Sequence, residues 1–139
     1  MRVVLLLICC ITAIIAVQKM PLEIRQAWLK AAEPDFSVCV ASSGVDSIVA
    51  YNAIAKNEIP NDSALKCFLN CIQQRANLMN SVGELLEDEF VRVLKGVTPA
   101  IAKKCVAQTQ NETDICKKSF EMFLCMVYAL GKPYPPLTH

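Results

Sequence analysis

The sequence predicts an all-α fold, a compact bundle of about six helices, and three observations carry that reading. Apolar residues recur at helical spacing, most clearly at Leu65, Phe68, Leu69, Ile72 and Ala76. Start and stop residues bracket such stretches: Pro21, Asp46 and Thr98-Pro99 suit helix starts, while Gly44, Gly131 and Pro133 suit helix ends. Only 4 glycines among 139 residues argue against a turn-rich β architecture. No internal repeat or low-complexity linker divides the chain, which reads as one domain.

The first helix is expected from about Pro21 to Ala32, with proline where its missing N–H costs nothing. Ile24, Ala27, Trp28 and Ala31 form its apolar stripe, and Trp28 is assigned to structural packing. Pro34 should end it. A short helix, Asp35 to Ser43, carries Cys39 and stops at Gly44. Asp46 opens a third segment in which Ile48, Tyr51 and Ile54 share a face. Pro60-Asn61-Asp62 begins the fourth and clearest helix, which runs to about Asn77.

Ser81 and Glu84 then match a capping box ahead of Leu85 and Leu86. Val82, Leu86, Phe90, Val93 and Val97 follow at helical spacing, with a break at Gly96. Thr98-Pro99 reopens a helix that carries Cys105. Thr109 and Glu112 offer a second capping box for the last helix, about Asn111 to Leu130, with Cys116, Phe120, Phe123, Val127 and Leu130 along one side. The proline-rich tail, Lys132 to His139, should be extended.

At the other end, Met1 to Ala16 reads as a signal peptide: one positive charge at Arg2, an apolar run, and a small residue at the cleavage point. Gln18-Lys19 interrupts the run before it reaches the roughly 20 residues that a membrane span needs. No later segment is long enough to cross a bilayer, so residues 17–139 are expected to form a secreted, soluble domain. Removing Arg2 leaves 13 basic against 13 acidic residues, interspersed. That balance favours neither nucleic acid nor an anionic membrane.

Six of the 8 cysteines lie beyond the leader, which holds Cys9 and Cys10. An even number in a short secreted chain implies a disulfide framework. Cys67 and Cys71 stand at i, i+4 on the fourth helix, project from nearly one face, and should reach different elements. Cys116 and Cys125 lie on opposed faces of the last helix and must also part. These exclusions leave several of the roughly fifteen pairings open. A metal site is disfavoured, because no second close Cys/His pair exists and the 1 histidine is the terminal His139. No histidine partners a nucleophile and no Gly-rich phosphate loop is present, so neither a catalytic residue nor a cofactor is expected. Glu84, Glu87, Asp88 and Glu89 read as a solvated, dipole-favoured helix start.

Gaps of 27, 3, 33, 10 and 8 residues separate Cys39, Cys67, Cys71, Cys105, Cys116 and Cys125. With the leader and the helical pattern, this spacing resembles the insect odorant-binding proteins over essentially the whole mature chain. The gap before Cys105 is a little short for that family, which suggests a trimmed loop near Asn80 and Ser81. The resemblance implies interlocked pairs, Cys39–Cys71, Cys67–Cys116 and Cys105–Cys125, around an apolar cavity of roughly 300–1,000 Å³.

It also implies a carrier of small hydrophobic molecules such as odorants, pheromones or fatty-acid-like ligands through aqueous lymph. Delivery would be to a membrane odorant receptor, and the carrier would be a monomer or a weak homodimer. Positions carried over to the cavity are Leu69, Gln73, Ala102, Met122 and Met126, with Gln73 as the polar anchor. Leu78 and Met79, at the end of the fourth helix, suit the same role, as do the large aromatics Phe90 and Phe123. Tyr134 and Leu137 are expected to form a lid. Two other readings stand beside this one: a non-olfactory carrier of saliva, haemolymph or reproductive fluid, and a disulfide-stapled helical protein-interaction module. The sequons at Asn61 and Asn111 fall at expected helix starts.

Overall fold

The computed structural model describes residues 19–131. The leader, the tail and the lid residues Tyr134 and Leu137 lie outside the described residues. Among the described residues seven α-helices follow one another: α1 (Leu22–Ala32), α2 (Phe36–Ser43), α3 (Ser47–Ala55), α4 (Ser63–Arg75), α5 (Glu87–Val93), α6 (Pro99–Thr109) and α7 (Ile115–Leu130). A 3₁₀ turn at Glu33–Asp35 joins α1 to α2. The first α-helix ends at Ala32 as expected, and Pro34 lies in the 3₁₀ turn that leads into α2.

Short polar side chains set most helix starts. Asp46 Oδ1 accepts the Ile48 N–H at 2.8 Å, and Asp62 Oδ1 accepts that of Ala64 at 2.8 Å. Thr98 Oγ1 accepts the Ile101 N–H at 3.2 Å, one residue before Pro99 takes the first helical position. Such a cap is worth about 1 kcal/mol. At its other end α2 stops on Gly44, whose φ of 74° a side chain would strain.

Two expected helix starts are corrected. No helix begins at Ser81, because Asn80 takes the local donors instead: its Oδ1 accepts from Val82 N at 3.1 Å and from Glu84 N at 2.9 Å. Gly83 then turns with φ +87°, and a Cβ there would meet Ile115 Cγ2 at 2.7 Å. An isolated bridge, Met79 to Leu85, closes this loop, so α5 starts at Glu87 and Val82 is left 74% exposed. The last helix starts at Ile115 and not at Asn111. Asp114 caps it, accepting from Cys116 N at 3.0 Å and Lys117 N at 3.2 Å. The Thr109 hydroxyl is already committed to the Cys105 carbonyl at 2.9 Å. α4 ends two residues earlier than expected, and Asn77 leaves it with φ 60°.

α4 lies at the centre, packed against α7 and α2, while α6 packs on α7 and α5, and α1 packs on α3. Leu65 and Phe68 of α4 are fully buried, as are Phe90, Met122, Cys39 and Cys105 around it. The structure pairs Cys39 with Cys71, Cys67 with Cys116, and Cys105 with Cys125. These are the pairs the resemblance implies. α4 is thereby tied to α2 on one side and to α7 on the other, and α7 is tied to α6. At its N-terminal edge the domain is closed by polar links: Met20 N donates to the buried Asn57 Oδ1 at 2.9 Å, and Arg25 donates to the carbonyls of Met20 and Ala55.

An apolar cavity between four helices

The face of α4 opposite its disulfides carries Leu69, Ile72 and Gln73, and these side chains line an internal cavity of about 50 Å³. α1 contributes Trp28 and Ala31 from the stripe legible in its sequence, and Ala32 beside them. α5 contributes Phe90 and Val93, and α7 contributes Phe123 and Met126. Ile54 of α3 completes the wall, together with Ala76, Leu78 and Leu94 from the segments that follow α4 and α5. Ala31, Ile72, Ala76, Val93 and Leu94 are only half-buried, so the cavity approaches the surface between α1, the end of α4, and α5.

Why these residues converge follows from helix geometry. Leu69 and Gln73 stand at i, i+4 on one stripe of α4, and Ala76, the residue that caps the helix, continues that stripe at i+7. Phe123 and Met126 stand at i, i+3 on α7, so both reach the same space. The 67–116 bridge holds α4 beside α7 at a Cα–Cα distance of 4.5 Å. The Asn80–Gly83 loop turns the chain back after α4, which brings Phe90 to the cavity wall.

Six of the nine cavity residues expected from sequence line this space: Leu69, Gln73, Leu78, Phe90, Phe123 and Met126. Met79, Ala102 and Met122 are equally buried but stand elsewhere in the core. Met79 Sδ accepts from Asn70 Nδ2 at 3.2 Å, and Asn70 also donates to Ser119 Oγ at 3.1 Å. This small polar cluster joins α4 to α7 beside the cavity. Trp28, assigned to packing alone, also belongs to the wall. Its Nε1 donates to the Lys95 carbonyl at 2.9 Å, so the indole is held by its polar edge and offers its apolar body. Nothing in the one-dimensional stripe of α1 distinguishes these two roles.

The cavity is smaller than the range expected, because Met126, Leu69, Leu78 and the two phenylalanines fill the centre of the domain. The unbranched methionine side chain and the leucines can change rotamer to enlarge such a space. Gln73 is the polar member of the lining. Its Nε2 donates to the Ser119 carbonyl at 3.0 Å, while its buried Oε1 has no hydrogen-bond partner among the described residues. No titratable side chain among the described residues lines the cavity. Among the described residues no group of three or more His, Cys, Asp or Glu side chains is arranged to hold a metal ion.

The family model described as PBP/GOBP family matches residues 23–129. General odorant-binding protein 57c of Drosophila melanogaster is 24% identical in an alignment 98 residues long that covers 65% of this chain and 66% of that protein. The chain thus spans just under two thirds of the length of that relative. A medfly odorant-binding protein structure superposes with a TM-score of 0.53 at 22% identity, covering 70% of this chain and 85% of the other. Fatty acid binding protein OBP56a from the oral disk of the blowfly Phormia regina gives a TM-score of 0.55 at 22% identity, covering 70% and 87%.

Proposed function

Because this chain belongs to the PBP/GOBP family, we propose that it is a secreted, non-catalytic carrier that encloses a small hydrophobic molecule in the cavity between α1, α4, α5 and α7 and takes it through an aqueous fluid. The observation that carries the reading is a cavity wall that is apolar apart from one amide, in which α4 and α7 are cross-linked by the Cys67–Cys116 bridge and braced from outside by the other two. Leaving space at the centre of a small domain costs stability. Bridges that close loops of 32, 49 and 20 residues offset that cost.

Leu69, Leu78, Phe90, Phe123 and Met126 are assigned to the guest's apolar body, and Trp28 joins them. Each buried CH₂ of a guest contributes about 0.8 kcal/mol, ample for micromolar affinity from a chain of about ten carbons after the costs of association. A guest of that size needs more than the space observed, so uptake involves rotamer changes at Met126 and the leucines. The blowfly neighbour's printed description as a fatty acid binding protein supports long aliphatic guests as the class to test first. Olfactory and non-olfactory carriers share this site chemistry.

The test is uptake of 1-NPN (N-phenyl-1-naphthylamine) with rising probe fluorescence, followed by displacement with long-chain alcohols or esters. A saturable signal that these guests reverse supports a carrier. Absence of uptake overturns it in favour of a helical interaction module.

A further inference from the structure

Resting on the carrier reading above, we infer that Gln73 Oε1 is a guest-recognition atom, and that the cavity selects alcohols and undissociated acids over guests of the same length that lack an O–H. Gln73 is 4% exposed, and its Oε1 is the one buried side-chain N or O atom without a hydrogen-bond partner among the described residues. Its orientation is settled by chemistry. Nε2 donates to the Ser119 carbonyl at 3.0 Å, and a flipped amide would set two acceptor oxygens against each other. The free end of the amide is therefore an acceptor.

The surroundings narrow what can meet it. The other side chains of the wall are apolar or, in Trp28, already committed through Nε1 to Lys95. A guest hydroxyl would satisfy Oε1 inside an apolar space, where an unmet acceptor is costly. An ether or ester brings only acceptors and leaves the amide oxygen unpaired. A carboxylate anion fares worse, since it opposes one acceptor with another and finds no cation in the lining. An undissociated acid presents an O–H and is accepted.

The test compares 1-decanol with its methyl ether in displacing 1-NPN from the wild type and from Gln73→Met, which keeps the side chain's length and removes the acceptor. The alcohol should bind about tenfold more tightly than the ether to the wild type, and within about twofold of it in the variant. Because each ratio is taken within one protein, a general loss of stability cancels. A measurement that needs no variant is the Gln73 side-chain amide resonance of the wild type, which should shift with the alcohol and stay in place with the ether. Equal affinities in the wild type, a preference that survives Gln73→Met, or an amide resonance indifferent to the alcohol overturns this inference and leaves the carrier reading intact. Failure of 1-NPN and both guests to bind overturns the two together.

Discussion

The rings of Trp28 and Phe123 stand 6.1 Å apart, centroid to centroid, and are tilted by 58°. One belongs to α1 and the other to α7, and both line the cavity. The pair ties the first helix of the domain to the last across the proposed binding space. Phe123→Ala should therefore cost about 3–5 kcal/mol in urea unfolding, as buried phenylalanine truncations do. It should also enlarge the cavity. A cost below about 1 kcal/mol would show that the ring is not part of the wall.

Two methionines of α7 separate cavity from core. Met126 lines the cavity and Met122 does not, although both are buried. Met126→Phe should overfill the space and weaken 1-NPN binding about tenfold, at a stability cost of about 1–3 kcal/mol. Met122→Leu should leave the affinity within about twofold. Equal effects of the two substitutions on probe binding would place the guest elsewhere.

The three bridges should differ in worth according to the loops they close. Chain-entropy arithmetic gives about 4.1 kcal/mol for Cys67–Cys116, about 3.7 for Cys39–Cys71 and about 3.3 for Cys105–Cys125, in the order of their 49, 32 and 20 residue separations. Double serine variants, compared by urea denaturation, should follow that order. The 67–116 pair should also matter most for 1-NPN uptake, since it alone joins the two helices that carry Gln73 and Phe123.

Much of this was legible before any coordinates, for reasons that differ by residue. Cys67 and Cys71 at i, i+4 announce that α4 must reach two partners, and Asp46 and Thr98-Pro99 act locally as caps, so sequence suffices for them. The Ser81–Glu84 box failed because Asn80 and Gly83 compete for the same backbone, and Gly83 packs against Ile115, a contact 32 residues away in the chain. Gln73 and Ala102 show the limit for the site. Both fall at positions carried over from the family framework, yet Gln73 lines the cavity while Ala102, on α6, is buried in the core outside its lining. Trp28 looked like ordinary packing because its hydrogen bond goes to Lys95, far along the chain.

Acidity should affect the surface and leave the cavity alone. Hydrogen bonds from Arg92 and Lys117 hold the Glu89 and Glu112 carboxyls below the usual carboxylate range. A lowered folded pKa gives stabilisation that is present above the unfolded value and lost as pH falls through the folded one, so these pairs begin to weaken once pH drops below the ordinary carboxylate range. Lys117, raised by Glu112, contributes below its unfolded value and loses that contribution as pH rises through the folded one. Among the described residues the lining holds no titratable side chain. The 1-NPN dissociation constant should accordingly change less than about twofold between about pH 7 and about pH 5. A steep loss over that interval would demand a titrating group at the cavity.

Trp28 is the 1 tryptophan of the chain and stands in the cavity wall, so its emission reports on the proposed site from within. Titration with 1-decanol, which neither absorbs nor emits in that range, asks whether a guest enters this cavity. Trp28 emission should change saturably, with the same dissociation constant as the displacement of 1-NPN. Displacement of 1-NPN by the alcohol with Trp28 emission unchanged would contradict binding in this cavity.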